Sequence, residues 1–565
     1  ALARGLKSYQ AGNFVEAQHC YREIIELNAS HPVANHNLGI IEARFGKFEY
    51  ALELFQIAIA AKPAEEQFWL DYIKMLIKMK RYSEAREKLI EASNNGLSDK
   101  NKNLIEKRLN ENHREKRGQE CLLGKIISAF NENRVDDAFQ QCVSLLASCP
   151  NEPDALNVMG AIKFRLGENE TAIVNFKRAL LLKNNLAEVH NNLGLAVGKS
   201  IDSKEALSHF KRSITLKPCF IEAYNNLAKT YQTVGKIREA LCNYNRIGLL
   251  DKNLTGAKEA FYSLLTQTGN YFEKRLFLQG LYSLEKEALL TPVLACTNLI
   301  NSFIEGDFRT VKDIISKKAQ TLKQSNLSSL TVKNKTFCIA YFELIEKLLK
   351  HELGYAKKSK PCAFHIGDSH CLAFAHRSII IGDRLYNISP KIILGAKAFH
   401  LSSNVDLKYK SIFSLHANEI PEKSHIFLSF GEIDCRENEG ILSAWKKGET
   451  TLDETINQTV NGYFEFVVQV FEKRNCCLYF MAVPAPVSQD NIIGGDKFEE
   501  KQLVDIIQKF NARLSFLVSK TGYKFIDVYK LTRNLEGLSN NKYHIDRRHL
   551  SPKILCQIER LIDFE

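Results

Sequence analysis

The chain has 565 residues, 45% of them apolar and 25% charged, which is the composition of an ordinary folded protein and excludes disordered and fibrous classes. A single hydrophobic core does not extend over this length, so we expect two or more packed units. The net charge of +12 comes from 77 basic and 65 acidic residues without a basic block interleaved with aromatics, which argues against nucleic acid as a partner.

The 14 cysteines are scattered and form no CxxC pair. This argues against a zinc site or a disulfide framework and favours a reducing compartment, so we expect a cytoplasmic protein without metal or cofactor. No run of about eighteen apolar residues is present for a membrane span. The chain starts at Ala1 inside a helical pattern, so we expect the native N-terminus and any targeting signal to lie upstream.

A repeat of 34 residues runs through the first half of the chain, with one interruption. One position of this repeat is small or aliphatic. Its members are Gly5, Gly39, Ile73, Ile126, Gly160, Gly194 and Ala228. Alanine stands twelve residues after each, at Ala17, Ala51, Ala85, Ala138, Ala172, Ala206 and Ala240. Proline stands twenty-four residues after the position in three repeats, where a second helix would end, at Pro63, Pro150 and Pro218.

These marks resemble the consensus of tetratricopeptide (TPR) repeats, in which small residues let two antiparallel helices approach closely and each hairpin buries its apolar edge on the next. The resemblance implies an all-α superhelix and a protein or peptide partner. We expect repeats 1–3 over residues 1–93, a polar insert over 94–118 that bends or splits the solenoid, and repeats 4–7 over 119–252. Residues 253–352 keep a helical spacing and are expected to form a connector and cap.

Asparagine recurs just before the small position, notably at Asn37, Asn157, Asn192 and Asn226. These residues would line the concave face. A similar ladder in the TPR superhelix of the O-linked N-acetylglucosamine transferases holds extended peptides, because a carboxamide both donates and accepts hydrogen bonds. The alternative is that these asparagines only cap or solvate their helices, and the sequence leaves both open.

The periodicity changes in residues 353–565, where short apolar runs alternate with helical stretches. This alternation predicts an α/β domain with a doubly wound parallel sheet, whose functional site lies at the carboxyl ends of the strands. The predicted strands cover residues 362–366, 391–394, 425–430, 477–483 and 523–528.

Three polar motifs follow these strands or lie near the C-terminus. They are Gly367-Asp368-Ser369-His370, Gly431-Glu432-Ile433-Asp434-Cys435-Arg436 and Asp546-Arg547-Arg548-His549-Leu550-Ser551. In this order, the motifs resemble the conserved blocks of the SGNH/GDSL hydrolases over about 205 residues. The resemblance implies a three-layer, flavodoxin-like sheet.

By this resemblance Ser369 is the nucleophile, His549 its general base and Asp546 the carboxylate that orients the base. The backbone amides of Ser369 and Gly395 match the first two donors of the family's oxyanion hole. A Ser on a tight turn before a helix is also exposed to the helix N-terminal amides, which stabilise negative charge.

The second of these motifs departs from the family pattern, which has Asn where this chain has Ile433. An aliphatic side chain cannot donate to an oxyanion, and losing one donor costs about a hundred- to a thousandfold in rate. Arg436 and His370 are candidates to replace it or to bind an anionic substrate group, beside Asp434 in the same cluster. The alternative is an internal ion pair that only fixes the loop.

The leading functional hypothesis is a TPR-recruited ester hydrolase or O-acyltransferase that acts on a protein-bound or carbohydrate ester. A second is a non-catalytic adaptor that binds a protein through the TPR arm and a sugar or anionic ligand through the α/β domain, favoured by Ile433. A third is a glycan-modifying transferase acting on a protein captured by the TPR arm.

Overall fold

The computed structural model describes residues 1–199, 203–251, 255–268, 291–323, 327–328, 330–351, 360–404, 407–436, 440–445, 450–488 and 497–564. It contains two compact units, Ala1–Leu166 and Gly167–Glu565. The predicted domain boundaries at 252/253 and 352/353 fall within or beside residues 252–254 and 352–359, which lie outside the described residues.

The first unit is a succession of helices in which each contacts the next. They are α1 (Leu2–Gln10), α2 (Phe14–Leu27), α3 (Pro32–Arg44), α4 (Phe48–Ala61), α5 (Glu66–Lys78), α6 (Tyr82–Asn94), α7 (Asp99–Asn131), α8 (Val135–Ser148) and α9 (Pro153–Arg165). Residues 99–118 of the predicted polar insert belong to α7, a 33-residue helix whose second half is the first helix of a repeat. The insert is therefore largely a helical extension of that repeat.

The small repeat position is explained by an aromatic ring on the second helix of the hairpin. A Cβ atom added to Gly39 would lie 2.7 Å from the ring of Phe55, and one added to Gly5 would lie 2.9 Å from the ring of Tyr21. Both rings are almost completely buried. The glycines therefore let the two helices close around a large ring.

The second unit begins with further helices. They are α10 (Asn169–Leu182), α11 (Ala187–Lys199), α12 (Ser203–Leu216), α13 (Ile221–Thr233), α14 (Ile237–Leu250), α15 (Thr255–Thr268), α16 (Pro292–Glu305), α17 (Phe308–Ser316), α18 (Lys318–Thr321) and α19 (Val332–Leu349). Helices α11, α13 and α15 start 34 residues apart, so the repeat spacing continues into the predicted connector.

A six-stranded sheet follows in the order β2-β3-β1-β4-β5-β6. The strands are β1 (Cys362–Gly367), β2 (Ser378–Ile381), β3 (Arg384–Ile392), β4 (His425–Ser429), β5 (Cys477–Met481) and β6 (Lys524–Ile526). The helices of this part are α20 (Ala398–Ser402), α21 (Lys408–Glu419), α22 (Ile441–Trp445), α23 (Leu452–Phe471), α24 (Lys497–Val518), α25 (Val528–Thr532) and α26 (Leu555–Phe564), with 3₁₀ turns at Ser369–Phe374 and Pro552–Ile554.

The prediction of a wholly parallel sheet is wrong at one edge, because β2 pairs antiparallel with β3. The predicted strand 391–394 overlaps only the end of β3, and β2 is absent from the sequence prediction. Strand β3 carries buried polar residues that have partners: Asn387 accepts from the Ser378 hydroxyl at 3.0 Å and Lys391 donates to Glu419 at 2.7 Å. These polar residues break the apolar run by which a buried strand is recognised.

The solenoid end and the sheet share one core. A continuous cluster of buried apolar side chains extends from Ala206 in α12 to Ile562 in α26. The turn after α13 lies against α21, where the Leu407 amide donates to the Thr233 carbonyl at 3.0 Å. Gly235, with φ of 74°, has no room for a side chain, because an added Cβ would lie 2.1 Å from Ser411 Oγ.

Replacing Gly194 by Ala tests the hairpin packing, because the new methyl would lie 2.7 Å from the ring of Phe210. We expect the free energy of unfolding to fall by about 1–3 kcal/mol through overpacking. The matched control is Gly248→Ala in α14, where nothing lies within 4 Å of the added Cβ and stability should rise by up to about 1 kcal/mol. Calorimetric melting that is equally affected by both changes would contradict this packing.

Candidate active site

Ser369 lies at the carboxyl end of β1, between the parallel neighbours β3 and β4. It is the first residue of the 3₁₀ turn, and Asp368 caps this turn by accepting from the His370 amide at 2.9 Å. The first amides of a helical turn have no partner within the turn. Here the amides of His370 and Cys371 both donate to Asp368, so the Ser369 hydroxyl stands at a strand end, at the start of a turn whose next two amides are already engaged.

The structure brings Ser369, His549 and Asp546 into one hydrogen-bonded chain. The distance from Ser369 Oγ to His549 Nε2 is 2.8 Å, and His549 Nδ1 lies 2.9 Å and 3.1 Å from the two carboxylate oxygens of Asp546. Ser369 and His549 are both buried, at 9% and 7% exposure. The nucleophile and base predicted from the sequence are thus within direct reach of each other.

The Asp546 carboxylate determines which nitrogen of His549 carries the proton. Burial alone would raise the pKa of Asp546, but hydrogen bonds from His549 and from nearby backbone amides outweigh it and hold that pKa well below its usual range. The ionised carboxylate accepts, so His549 Nδ1 carries the hydrogen. Nε2 is then the acceptor for the Ser369 hydroxyl.

His370 does not reach toward a substrate, because both its ring nitrogens are engaged. Nδ1 donates to Asp368 at 2.8 Å and Nε2 donates to the Arg548 carbonyl at 3.0 Å. Burial would lower the pKa of His370, but the Asp368 carboxylate outweighs it and raises the pKa to about 9. The protonated ring therefore ties the segment of Ser369 to the segment of His549.

Arg436 forms a bidentate ion pair with Glu432, with Nη2 2.6 Å and Nε 3.0 Å from the same carboxylate oxygen. This is the internal ion pair that the sequence left open as an alternative. Ile433, between them in the chain, is buried. The loop after β4 is fixed by this pair, and the Ile433 side chain offers no donor.

Asp434 has a structural role instead of facing a ligand. Its two carboxylate oxygens accept from the backbone amides of Ala398 and Phe399 at 2.7 Å and 2.9 Å. Complete burial raises the pKa of Asp434 to about 6, although both amides act in the opposite direction. Asp434 thus anchors the start of α20, just after Gly395.

Gly395 lies on the loop that follows β3 and adopts φ of 69°. Nothing lies within 4 Å of the position that its Cβ would occupy, so the conformation and not crowding favours glycine here. Among the described residues, neither the Gly395 amide nor the Ser369 amide donates to a backbone carbonyl in the turns, loops and caps. Both remain candidates for oxyanion donors.

A small pocket, partly open to solvent, adjoins the hydrogen-bonded residues Ser369, His549 and Asp546. Its walls are mostly apolar and include Phe374, Phe430 and Leu550, with His370 and Glu432 on its polar side. His370 and Leu550 are the chain neighbours of Ser369 and His549. The pocket therefore lies beside the candidate nucleophile and the candidate base.

In the part of the chain that the structure describes, Asp368, His370 and Glu432 form a group that could hold a metal ion, because their ligand atoms lie within 4.8 Å of one another. Protonated His370 and paired Arg436 already supply positive charge to the two carboxylates. A histidine that binds a metal ion must be neutral, so that one ring nitrogen can offer its lone pair. The cluster therefore fits an ion-pair network better than a metal site.

The structure also buries Tyr341, from α19, near this site: burial raises the pKa of its phenol well above the usual range, with smaller effects of the Asp368 and Cys371 charges. The sequence prediction missed this residue because it lies in the helical connector, outside the expected α/β domain. A lone tyrosine on an amphipathic helix carries no motif. Only the fold brings it to the site.

A TPR repeat family model matches residues 160–200. The N-terminal part of the chain is a TPR solenoid. TPR repeats imply protein–protein interaction, so the prediction of a protein partner is supported at this level. In the part of the chain that the structure describes, no helix combines the length and apolar character needed to cross a membrane.

The chain is also similar to solved structures at low identity. The TPR domain of P58(IPK) is 15% identical, with 61% of this chain and 96% of that chain covered and a TM-score of 0.26. Yeast Tom70 is 14% identical, with 62% of this chain and 81% of that chain covered and a TM-score of 0.30. YrrB, described as a TPR protein with an unusual peptide-binding site, is 15% identical, with 42% of this chain and 96% of that chain covered and a TM-score of 0.19. No curated protein matches the chain.

The asparagines predicted to bind peptide all lie on the first helices of their hairpins and are partly buried. They are Asn37 in α3, Asn157 in α9, Asn192 in α11 and Asn226 in α13. The Asn226 amide donates to Asn191 at 2.9 Å, and the Asn37 amide donates to the Tyr21 hydroxyl at 3.2 Å. These two therefore also stabilise the solenoid, and peptide binding by the four stays a prediction.

The His370–Asp368 pair predicts a pH dependence of stability. The folded pKa of His370, about 9, lies above the usual 6.5, so its contribution is complete below pH 6.5 and is lost as the pH rises through 9. This loss amounts to about 3 kcal/mol. Between pH 6.5 and 9 the calorimetric melting temperature should fall more in the wild type than in His370→Gln. Parallel curves for the two proteins would show that the imidazolium contributes nothing.

Proposed function

We propose that the α/β domain is an SGNH-like serine esterase or O-acyltransferase and that the TPR arm recruits its protein-bound or glycan substrate. The observation that carries this proposal is the series of hydrogen bonds that joins Ser369 to His549 and His549 to Asp546. A serine hydroxyl is a weak nucleophile unless a base takes its proton during attack. The 2.8 Å contact with His549 Nε2 supplies that base, and Asp546 keeps Nε2 free of a proton.

The reaction follows from these contacts. Ser369 Oγ forms a bond to the ester carbonyl carbon while its proton passes to His549 Nε2. The tetrahedral intermediate collapses, the C–O bond to the leaving alcohol breaks, and the alcohol takes that proton. Water, or an acceptor hydroxyl that His549 deprotonates, then attacks the acyl-enzyme and releases Ser369. Hydrolysis and acyl transfer differ only in this acceptor.

The surroundings of Ser369, His549 and Asp546 support an acyl substrate. The pocket beside His370 and Leu550 has mainly apolar walls, which suits the hydrocarbon part of an acyl group. The amides of Ser369 and Gly395 are available for the carbonyl oxygen. An SGNH identity rests on the motif order and on these contacts together.

Another Ser–His pair in the same sheet lacks these properties. His365 Nε2 lies 2.9 Å from Ser429 Oγ, but burial lowers the pKa of His365 to about 3. Among the described residues, His365 Nδ1 has no hydrogen-bond partner, so no carboxylate orients the ring. Ser369 is therefore the better candidate for the nucleophile.

An adaptor function is the second candidate, and the buried Ile433 favours it. Without a side-chain donor at this position the oxyanion hole is incomplete, and binding of an ester or sugar without turnover would result. The two functions differ in one observable property, the covalent reactivity of Ser369.

Replacing Ser369 by Ala should lower hydrolysis of p-nitrophenyl acetate by about a thousandfold or more and abolish labelling by a fluorophosphonate probe, because the nucleophile is removed. The matched control is Ser414→Ala on α21, whose hydroxyl only donates to the Lys410 carbonyl. This control should behave as the wild type in both assays.

Two outcomes would oppose the proposal. Unchanged turnover in Ser369→Ala would remove this residue from the mechanism. A well-folded wild-type protein that neither reacts with the probe nor hydrolyses a panel of esters would replace the enzyme by the adaptor.

A further inference from the structure

The C-terminal loop that carries His549 is fixed by hydrogen bonds within the loop itself. The amides of Arg548 and His549 both donate to Asp546 Oδ1 at 2.8 Å. The Ile545 amide donates to the His549 carbonyl at 2.9 Å. These bonds set the shape of the loop, but they do not determine where the loop lies relative to Ser369.

Two adjacent residues after β1 each make a hydrogen bond to this loop. Ser369 Oγ lies 2.8 Å from His549 Nε2, and His370 Nε2 lies 3.0 Å from the Arg548 carbonyl oxygen. The first bond cannot hold the loop throughout the proposed reaction, because the serine proton leaves Oγ and Oγ becomes bonded to the acyl carbon. The second bond involves no reacting atom, so it persists while the first is broken.

The protonation of His370 follows from its two partners. A carboxylate and a backbone carbonyl only accept hydrogen bonds. Nδ1 of His370 faces Asp368 Oδ1 at 2.8 Å and Nε2 faces the Arg548 carbonyl, so both ring nitrogens must carry hydrogen. The ring is therefore an imidazolium. Loss of one proton would leave a nitrogen lone pair against an acceptor and break one of the two bonds.

His370 is also anchored on the side of Ser369. The Asp368 oxygen that accepts from the His370 ring accepts from the His370 backbone amide as well, at 2.9 Å. Both side chains are buried. The rings of His370 and His549 lie against each other, with centroids 5.0 Å apart and planes tilted by 40°. His370 therefore fixes the residue before His549 and supports the ring of His549 directly.

The charges around His370 balance in pairs. Asp368 neutralises the imidazolium, and on the loop after β4 Arg436 neutralises Glu432. Burial would lower the pKa of His370, but the Asp368 charge, with a smaller effect of Glu432, raises it to about 9. The imidazolium thus adds no net charge beside His549. The other titratable groups around it are His365 on β1 and, on the C-terminal loop, His544, Asp546 and His549.

We propose that His370 is a positioning residue, which fixes His549 relative to Ser369 through the Arg548 carbonyl while the Ser369–His549 hydrogen bond breaks and forms again. This inference rests on the proposed function. It assigns His370 a task in the reaction that needs no contact with the substrate. The task is to keep His549 Nε2 in place for the leaving alcohol and then for the acceptor hydroxyl or water, so that one base serves both half-reactions.

The test compares His370→Asn with His370→Gln in the full chain, with p-nitrophenyl acetate as substrate. The Asn amide nitrogen replaces Nδ1 and can donate only to Asp368, whereas the Gln amide nitrogen replaces Nε2 and can donate to the Arg548 carbonyl. Both changes remove the positive charge, so the pair isolates the bond to the loop. We expect kcat to fall by about ten- to a hundredfold in His370→Asn, as for a base misplaced by about 1 Å, and to stay within about fivefold of the wild type in His370→Gln. KM should change by less than about threefold in both, because both ring nitrogens of His370 face protein groups.

The pH dependence of the wild type is a second readout that needs no substitution. We expect kcat to fall as the pH rises through about 9, because His370 then loses the hydrogen for one of its two bonds. This decline should be absent from His370→Gln. The matched control is His425→Gln at the start of β4, where the ring contacts the Tyr479 hydroxyl, and it should keep the kcat and the pH profile of the wild type. If both variants at position 370 melt below the assay temperature, the profile of the folded wild type decides.

Four results would overturn the proposal. A kcat within about threefold of the wild type in His370→Asn would show that the bond to the loop is not needed. Equal losses in His370→Asn and His370→Gln would assign the effect to the charge instead. A wild-type kcat that stays level to about pH 10 in folded protein would show that the second proton is not used. Activity that is lost with EDTA and restored by Zn²⁺ would make His370 a metal ligand and not a donor.

These outcomes are separate from a failure of the proposed function. If Ser369→Ala is inactive while His370→Asn is fully active, the serine mechanism stands and only the role of His370 falls. If the wild type shows neither turnover nor labelling by the fluorophosphonate probe, the enzyme function falls and the role of His370 falls with it.

Discussion

The hydrogen bond between Ser369 Oγ and His549 Nε2 joins residues that are 180 positions apart in the chain, and the rest of the site depends on it. Two flanking interactions hold it in place. Asp546 orients His549 by accepting from Nδ1, and protonated His370, paired with Asp368, donates to the carbonyl of Arg548, the residue before His549. The segment after β1 and the C-terminal loop are thus connected by two parallel links. The Ser369–His549 hydrogen bond is the one proposed to take part in catalysis, and the bond from His370 to the Arg548 carbonyl keeps the two segments aligned.

The second constraint is the core that the last solenoid helices share with the sheet. Because buried apolar side chains are continuous from α12 to α26, the end of the solenoid cannot shift without disturbing the strand that leads to Ser369. Gly235, which has no space for a side chain against Ser411, marks how closely the two parts approach. A protein recognised by this region of the solenoid would therefore bind to the same compact unit that carries the candidate site.

The sequence predicts well those features that are local or periodic. The 34-residue repeat predicts the solenoid, and the aspartate three residues before His549 predicts a pair because so short a spacing brings both side chains to one loop. Features that depend on buried polar partners escape prediction. The sequence pattern misses most of strand β3, because Lys391 and Asn387 interrupt its apolar run. It also gives no signal that Asp434 accepts hydrogen bonds from two backbone amides.

The most direct test of this account is a crystal structure of the full chain after reaction with a small alkyl fluorophosphonate, whose tetrahedral phosphorus mimics the intermediate. We expect a bond between Ser369 Oγ and phosphorus, with the phosphoryl oxygen within hydrogen-bond distance of the Ser369 and Gly395 amides. An unmodified Ser369 in well-ordered density would contradict the central claim of a serine nucleophile.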